Sequence, residues 1–348
     1  MLSFGPTERK QSLEAVVAPE SPAALTPLAD APDAVERTRS APPQVILSFD
    51  VEEHDRIEAA NGLAVSPELK AHYRERLEPS TRWILDQLDE AGAKATFFIV
   101  GEIAEHNPGL IRNIHRAGHE VASHGWDHRR VLTMTPEEFR FDLRQSKDAL
   151  EQVIGAEVAG YRAPTFSITR ETPWAIDVLV EEGFVYDSSI YPVRHDRYGM
   201  PGAPRGPFLA RGNEHSILEL PPATLRLFGM NLPMGGGGYF RLFPLLFTRW
   251  AVKQLARCEN VATLYFHPWE FDAQQERLPL KKVSAFRTYV GISRTQGRLA
   301  GLMGSYRLSR AVDAAKAISL PLTTDPTDST DNRTRQDSRI RAIGAIRG

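Results

Sequence analysis

The chain has 348 residues, 42% of them hydrophobic and 25% charged, with 42 basic and 44 acidic side chains. That is the composition of an ordinary globular protein with apolar material for a sizeable core, and a net charge of −2 shows none of the basic excess of a nucleic-acid-binding protein. A single cysteine, Cys258, excludes an intramolecular disulfide and makes a thiolate metal site a poor expectation; it is expected to pack as a small buried side chain.

Residues 1–43 are rich in Ala, Pro and charge, lack apolar periodicity and read as a disordered arm. Lys10 and Glu14 break any signal-peptide core, so the chain as given reads as cytoplasmic. Gln44–Phe49 is an apolar strand running into acids. Ser80–Ala91 carries Ile84, Leu88 and Ala91 on one helical face, and Lys94–Val100 is β-rich. Asn107 and Pro108 open a helix that stops at Gly118, followed by a strand over His119–Ser123. Thr135-Pro136-Glu137-Glu138 is a capping box with proline at N1. It starts a helix with Phe139, Leu143, Leu150 and Ile154 at core spacing. Val158–Tyr161 is a strand, a helix runs from Thr172-Pro173 to near Gly183, and Phe184–Tyr186 is a strand.

From about 195 to 240 the rhythm breaks into Pro- and Gly-rich sequence, expected to be a long insertion or lid. Its run Gly235–Gly238 lacks the lysine of a P-loop and is a poor phosphate site. Phe243–Cys258 is a helix and Val261–Phe266 a buried strand. Tyr239–Ala256 is the most apolar stretch, but Arg241, Arg249 and Lys253 disqualify it as a membrane span. Residues from about 323 read as a polar tail.

Alternating strands and helices imply a parallel sheet with helices outside, and about seven strands suit a barrel better than an open sheet. In such barrels chemistry sits at the C-terminal strand ends. Polar clusters follow Phe49, Ala122, Tyr161, Tyr186 and Phe266, so they are expected to share one site. After Phe49, Asp50, Glu52 and His54 would share a face if the strand continued. His124 and His128, four apart, would converge on one metal if their segment made a helical turn, and two histidines with a carboxylate suit zinc. Arg162 can orient a carboxylate. His267 is a general-acid candidate because of its company. Trp126, Phe166, Tyr191 and Trp269 either pack in the core or stack on sugar rings.

In this order the segments SFDVEEH, SHGWDH, YRAPTF, YDSSIYP and FHPWE resemble the polysaccharide deacetylases, the NodB-homology carbohydrate esterases. The resemblance covers residues 44–270 and is greatest to the branch associated with exosortase-type exopolysaccharide loci, which carries a C-terminal extension, here 271–322. It implies a distorted (β/α)7 barrel and a metal-dependent hydrolase removing N-acetyl groups from an exopolysaccharide or its precursor, cleaving carbon–nitrogen bonds other than peptide bonds. It implies one divalent metal, Zn with Co or Ni as alternatives, held by Glu52, His124 and His128. Asp50 would be the base, Arg162 its holder and His267 the acid. The Thr165 N–H would serve the oxyanion, with Phe166, Tyr191 and Trp269 also at the substrate. The commonest family pattern has two adjacent aspartates; here Val51 follows Asp50, and similarity to the branch that uses an acid two positions along, which includes peptidoglycan-type and allantoinase-like members, implies Glu52 as the metal ligand ahead of Glu53. An allantoinase-like cyclic amide hydrolase and a non-catalytic glycan-binding relative are the competing readings.

Overall fold

In this computed structural model, residues 26–27, 44–195, 198–259 and 261–319 are described. The expected disordered arm and tail otherwise lie outside the described residues; within the arm, Thr26–Pro27 forms a short strand, β1, antiparallel to β7 (Phe208–Arg211).

The sheet is built around QVILSFDV, strand β2 (Gln44–Val51), buried along nearly its whole length. It lies parallel between β3 (Thr96–Ile99) and β11 (Val261–Phe266). Beyond β3 follow β4 (Glu120–Ser123), β5 (Gly160–Tyr161), β6 (Tyr186–Asp187) and β8 (Ser216–Glu219), each parallel to the last. The sheet curls until Pro222, just past β8, bridges to Thr263 of β11, and the Ala223 N–H donates to the Thr263 carbonyl at 2.9 Å. Seven parallel strands thus form a distorted barrel, closed by an isolated bridge where a full ladder would otherwise run.

The two-residue period of β2 sorts its side chains. Val45, Leu47, Phe49 and Val51 point out into the main core under the helices. Ile46 points into the barrel among Phe98, Ala122, Tyr186 and Leu218. Ser48 and Asp50 continue that inner row upward, so the interior is apolar below and polar at the C-terminal rim. Fully burying each of these aliphatic or aromatic side chains contributes about 1.5–3 kcal/mol, which sets the register of the rim residues along with it.

The helices follow their start signals. Helix α1 (Pro67–Glu90) begins at Ser66, whose hydroxyl accepts the Leu69 N–H. It is longer than the expected Ser80–Ala91 because Pro79 lies inside it. The Ser80 and Thr81 hydroxyls donate to the Arg76 and Leu77 carbonyls at 2.8 Å, next to the N–H that proline lacks. A short α2 (Ile103–His106) precedes α3 (Pro108–Arg116), capped by Asn107. α4 (Pro136–Ile154) has both bonds of its Thr135–Glu138 capping box and ends at Gly155 with φ 68°. α5 (Trp174–Glu181) follows.

Residues 195–240 are not simply an insertion. The β7–β8 hairpin supplies a barrel strand, and only the next hairpin, β9 (Thr224–Leu227) with β10 (Met230–Pro233), projects from the wall. The short strand Ser216–Glu219 carries too little pattern to stand out among glycines and prolines. The glycine run serves close packing: a Cβ on Gly236 would lie 2.3 Å from Tyr265 Oη, and one on Gly237 would strike Glu270. α6 (Gly237–Leu242) and α7 (Leu245–Cys258) lead back to β11. Cys258, expected to be buried, is exposed at the end of α7, where the helix has already left the core. No described helix is long and apolar enough to cross a membrane.

The C-terminal stretch forms α8 (Lys282–Tyr289), α9 (Thr295–Met303), β12 (Leu308–Ser309) beside β2, and α10 (Ala311–Ser319). Ala311, Ala314 and Ala315 of α10 join the barrel-interior cluster from below. The first N–H groups of α10 donate to Thr96 Oγ1 (2.7 Å) and the buried Glu120 carboxylate (3.0 Å), a favourable place for an acid.

Candidate metal centre and active site

The rim of β2 sends its acids in different directions. Asp50 and Glu52, each 2% exposed, face the barrel mouth. The strand stops at Val51, and His54 enters a 3-10 turn, so it does not join that face as alternation would have placed it. Its Nε2 instead meets Tyr289 Oη at 2.8 Å, with Trp269 packed on its ring. Glu53 points away, to Arg56 Nε at 2.6 Å and His106 Nε2 at 3.2 Å.

Beyond β4, residues 124–128 do not form the helical turn that the histidine spacing suggested. They form a loop with left-handed backbone at Gly125 (φ 73°) and His128 (φ 67°), and it brings the two rings to 5.2 Å. Asp142 on α4 holds this loop by accepting the Trp126 N–H at 3.0 Å. His124 Nδ1 lies 2.7 Å from the Arg162 carbonyl. A carbonyl can only accept, so Nδ1 carries the proton and Nε2 keeps its lone pair. His128 Nε2 faces the Glu52 carboxylate. One ligand atom from each of Glu52, His124 and His128 lies within 4.8 Å of the others, while Glu53 stands outside the group. Glu52 Oε2 is buried against the His128 imidazole, where the lone pairs of the two groups converge. Two imidazoles and a carboxylate are a donor set for a divalent metal with open positions, so these residues fit one. Burial works against the Glu52 charge, but His128, then His267 and His124, bring its pKa down to about 2. Burial pushes His124 down to about 4. Both groups are thus in the unprotonated form that a metal requires.

Arg162 follows β5 and is fully buried. Its NH1 donates to Asp50 Oδ1 (2.6 Å) and Ser48 Oγ (2.9 Å), its NH2 to Ser188 Oγ (2.9 Å) and its Nε to the Ser188 carbonyl (3.2 Å). The guanidinium lies 4.0 Å over the Phe98 ring, a cation–π contact. Asp50 Oδ1 is therefore occupied, and Oδ2 is left toward His267 Nε2 at 4.0 Å. Two buried acids support the arrangement. Asp187 accepts from the Ser188 N–H and the Ser189 hydroxyl, and Glu219 from the Ile190 N–H. Burial raises the pKa of both, and the neighbouring Asp187 carboxylate adds to the effect on Glu219, which is held well above the usual carboxylate range.

His267 follows β11. Its Nδ1 is 2.9 Å from Glu270 Oε1, which directs Nε2 to 3.6 Å from Glu52 Oε1. Glu270 is in turn gripped by Arg241 of α6, whose other donors reach the carbonyls of Val290 (3.0 Å) and Thr288 (2.8 Å). Sequence reasoning gave Glu270 no role and met Arg241 only as a break in an apolar run. A carboxylate three residues after a histidine, across a proline, was the available signal for the first; nothing local marked the second.

Thr165 has φ 57° and lines a cleft of about 330 Å³ with Asp55, Arg56, Asp127, His128 and Arg129. The other residues expected at the substrate are less open. Phe166 (6% exposed) and Tyr191 (0%) pack on each other and on Tyr265, and Trp269 (8%) stacks on His267. They form the wall of the site and offer no open ring face, because the short strand ends draw the aromatics inward to cover the rim.

A barrel that gathers a carboxylate–His–His cluster, an arginine-held aspartate and a carboxylate-held histidine at its strand ends has the parts of a metal-assisted hydrolase. Comparison with known proteins shows what parts of the chain resemble. Residues 70–181 match the sequence model of the family Polysaccharide deacetylase, and residues 188–316 that of Domain of unknown function (DUF3473). Over residues 70–181 the chain is thus similar to the polysaccharide deacetylases. It is 30% identical over 95 residues to a peptidoglycan-N-acetylglucosamine deacetylase of Bacillus cereus (27% of this chain, 34% of that protein). It is 28% identical over 92 residues to chitin deacetylase 1 of Cryptococcus neoformans (26% and 20%). The matched stretches thus span between a fifth and about a third of these relatives. A solved Mycobacterium smegmatis structure described as a polysaccharide deacetylase aligns with TM-score 0.53 at 21% identity, over 90% of this chain and 99% of that one. The allantoinase PuuE also aligns at 0.53, at 17% identity, over 78% and 89%. These two likenesses concern the fold.

Two predictions follow from the geometry. Glu52→Gln or His124→Ala abolishes stoichiometric divalent-metal binding, measured by metal content after dialysis against one equivalent, whereas Glu53→Gln retains it. Asp142 has its pKa raised by burial from 3.8 to about 7, against the Trp126 N–H bond that lowers it. A carboxyl raised on folding stabilises the fold fully below its unfolded pKa, and that contribution is lost as pH rises through about 7. Asp142→Asn therefore flattens the fall in melting temperature between about pH 4 and pH 7; an unchanged slope contradicts the assignment.

Proposed function

We propose that the protein is a metal-dependent carbohydrate N-deacetylase, a hydrolase acting on the acetamide of an N-acetylated exopolysaccharide or its precursor. The observation that carries this reading is the placement of Asp50 Oδ2 and His267 Nε2 4.0 Å apart beside the Glu52–His124–His128 cluster. The names of the curated relatives, deacetylases of peptidoglycan and chitin, support the class of substrate.

Glu52, His124 and His128 would hold one divalent ion, zinc by its donor set with cobalt or nickel as alternatives, which supplies Lewis-acid polarisation of the acetamide carbonyl and a water of lowered pKa. The chain's own residues do the rest. Asp50, with Oδ1 fixed by Arg162, takes the proton of the attacking water through Oδ2. The Thr165 N–H is the donor assigned to the developing oxyanion. His267, with Nδ1 tied to Glu270, gives the proton from Nε2 to the departing nitrogen, so that acetate and a free amine are produced. Arg162, Glu270 and Arg241 are positioning residues in this scheme.

Removing a positioned general base typically costs about 10²–10⁴-fold. Asp50→Asn should therefore lower acetate release from N-acetylated oligosaccharides by at least about 10²-fold while the protein keeps its metal. Loss of metal in that variant overturns the assignment of Asp50 as base. Ring opening of a cyclic ureide in place of acetate release moves the reading to cyclic-amide hydrolysis, and glycan binding without turnover to a non-catalytic binder.

A further inference from the structure

Ten large hydrophobic side chains are exposed among the described residues, and nine of them lie between Leu227 and Phe286. They sit on adjoining elements. The tip of the β9–β10 hairpin presents Leu227, Phe228 and Met230, with Phe228 91% exposed. β9 touches α7, and α6, directly before α7 in the chain, touches α8. The outer stripe of α7 reads Leu246, Trp250, Lys253, Arg257, at one helical spacing, apolar at its start and cationic at its end. α8 presents Val283 and Phe286 between Lys281, Lys282 and Arg287, all exposed. This is the stretch that begins with Tyr239–Ala256, apolar enough to draw notice as a span yet cut by arginine and lysine. Its apolar residues do not all turn inward on folding.

The charge of the same surface is one-sided. From Leu220 to Cys258, and again from Arg277 to Val312, the sequence holds no aspartate or glutamate, and nine of the thirteen lysines and arginines in these two stretches are exposed, Arg241 being buried on Glu270 and Arg310 paired with Asp313. A chain of net charge −2 has therefore concentrated cations where it exposes aromatic and aliphatic tips. Apolar projections flanked by cations are what an anionic bilayer surface recognises: the apolar groups enter the interface and the cations meet the headgroups. A second copy of the chain is a poorer occupant, because a two-fold contact would set the basic surface against itself. A nucleic acid would leave the apolar tips without a partner.

We propose that this surface docks the protein on an anionic lipid bilayer. The same elements brace the mouth of the site. Asn231 of the hairpin donates to the Pro192 carbonyl at 2.7 Å, Arg241 of α6 holds Glu270, and Tyr289 at the end of α8 meets His54. Docking thus places the catalytic rim beside the lipid surface, where a glycan attached to a membrane lipid would be presented. The inference does not rest on the chemistry proposed for the site.

The test is co-sedimentation of the full chain with vesicles of phosphatidylcholine alone and of phosphatidylcholine mixed with phosphatidylglycerol. The chain is expected to sediment with the mixed vesicles, little with the neutral ones, and to be released by salt. Each cation removed near an anionic surface weakens binding by about fivefold. Lys281→Glu with Lys282→Glu should therefore weaken it by more than about tenfold, and Phe228→Ser with Trp250→Ser and Phe286→Ser by at least as much. Both variants should keep the parent melting temperature. The proposal is overturned if neither vesicle binds the parent, if properly folded variants bind as well as the parent, or if the parent is a dimer in solution that the apolar variant dissociates.

Discussion

Arg162 and Asp50 form an ion pair with almost no contact with water. Removing two charges from solvent costs several kcal/mol each, and their attraction offsets this only where further hydrogen bonds complete the geometry. Here Ser48 and Ser188 accept three further guanidinium hydrogen bonds, the Phe98 face lies under the cation, and the Arg162 carbonyl fixes the His124 proton on Nδ1. One side chain and its own backbone thereby set the direction of the aspartate lone pair and the tautomer of a metal-facing histidine. Breaking the pair leaves an unpartnered charge in the barrel, so the arrangement holds as a unit or not at all.

The barrel makes that concentration of charge tolerable by layering. Its lower interior is filled by Ile46, Phe98, Ala122, Leu218 and the alanines of α10, and only the rim is polar. The region matching the domain of unknown function adds the other half of the site. It begins at residue 188, inside the barrel, and contributes β8, β11, His267, Glu270 and Arg241. Asp50 and Glu52 precede both matched regions, and the histidine pair lies in the first. No single stretch of the chain holds the site; the closing of the ring assembles it.

Much of this is legible in the sequence. The Thr135–Glu138 capping box, the Asn107 cap and the alternation of β2 are local signals, and the elements stand where those signals put them. Asp50, Glu52, His124, His128, Arg162 and His267 were legible as strand-end polar residues, and they do meet at one mouth. What was not legible depends on contacts far apart in sequence. The helix expected from Ser80 begins at Pro67 and carries Pro79 inside it. The histidines converge through left-handed backbone at Gly125 and His128, which spacing alone cannot reveal. Ser216–Glu219 becomes a barrel strand only because β6 lies beside it, and Phe166 and Tyr191 become wall because Tyr265 fills the space between them. Arg241 acquires meaning only once Glu270, 29 residues on, is folded against it.

The proposed chemistry requires one metal ion at Glu52, His124 and His128, beside the arginine-held Asp50, for removal of acetyl groups from a glycan. The most direct measurement is acetate release from N-acetylated oligosaccharides by metal-stripped protein titrated with Zn²⁺, Co²⁺ or Ni²⁺. No release is expected from the stripped protein, followed by a rise with added ion that saturates at one equivalent per chain. Release that is undiminished in the stripped protein, or absent on every acetylated sugar when one equivalent is bound, would contradict that chemistry.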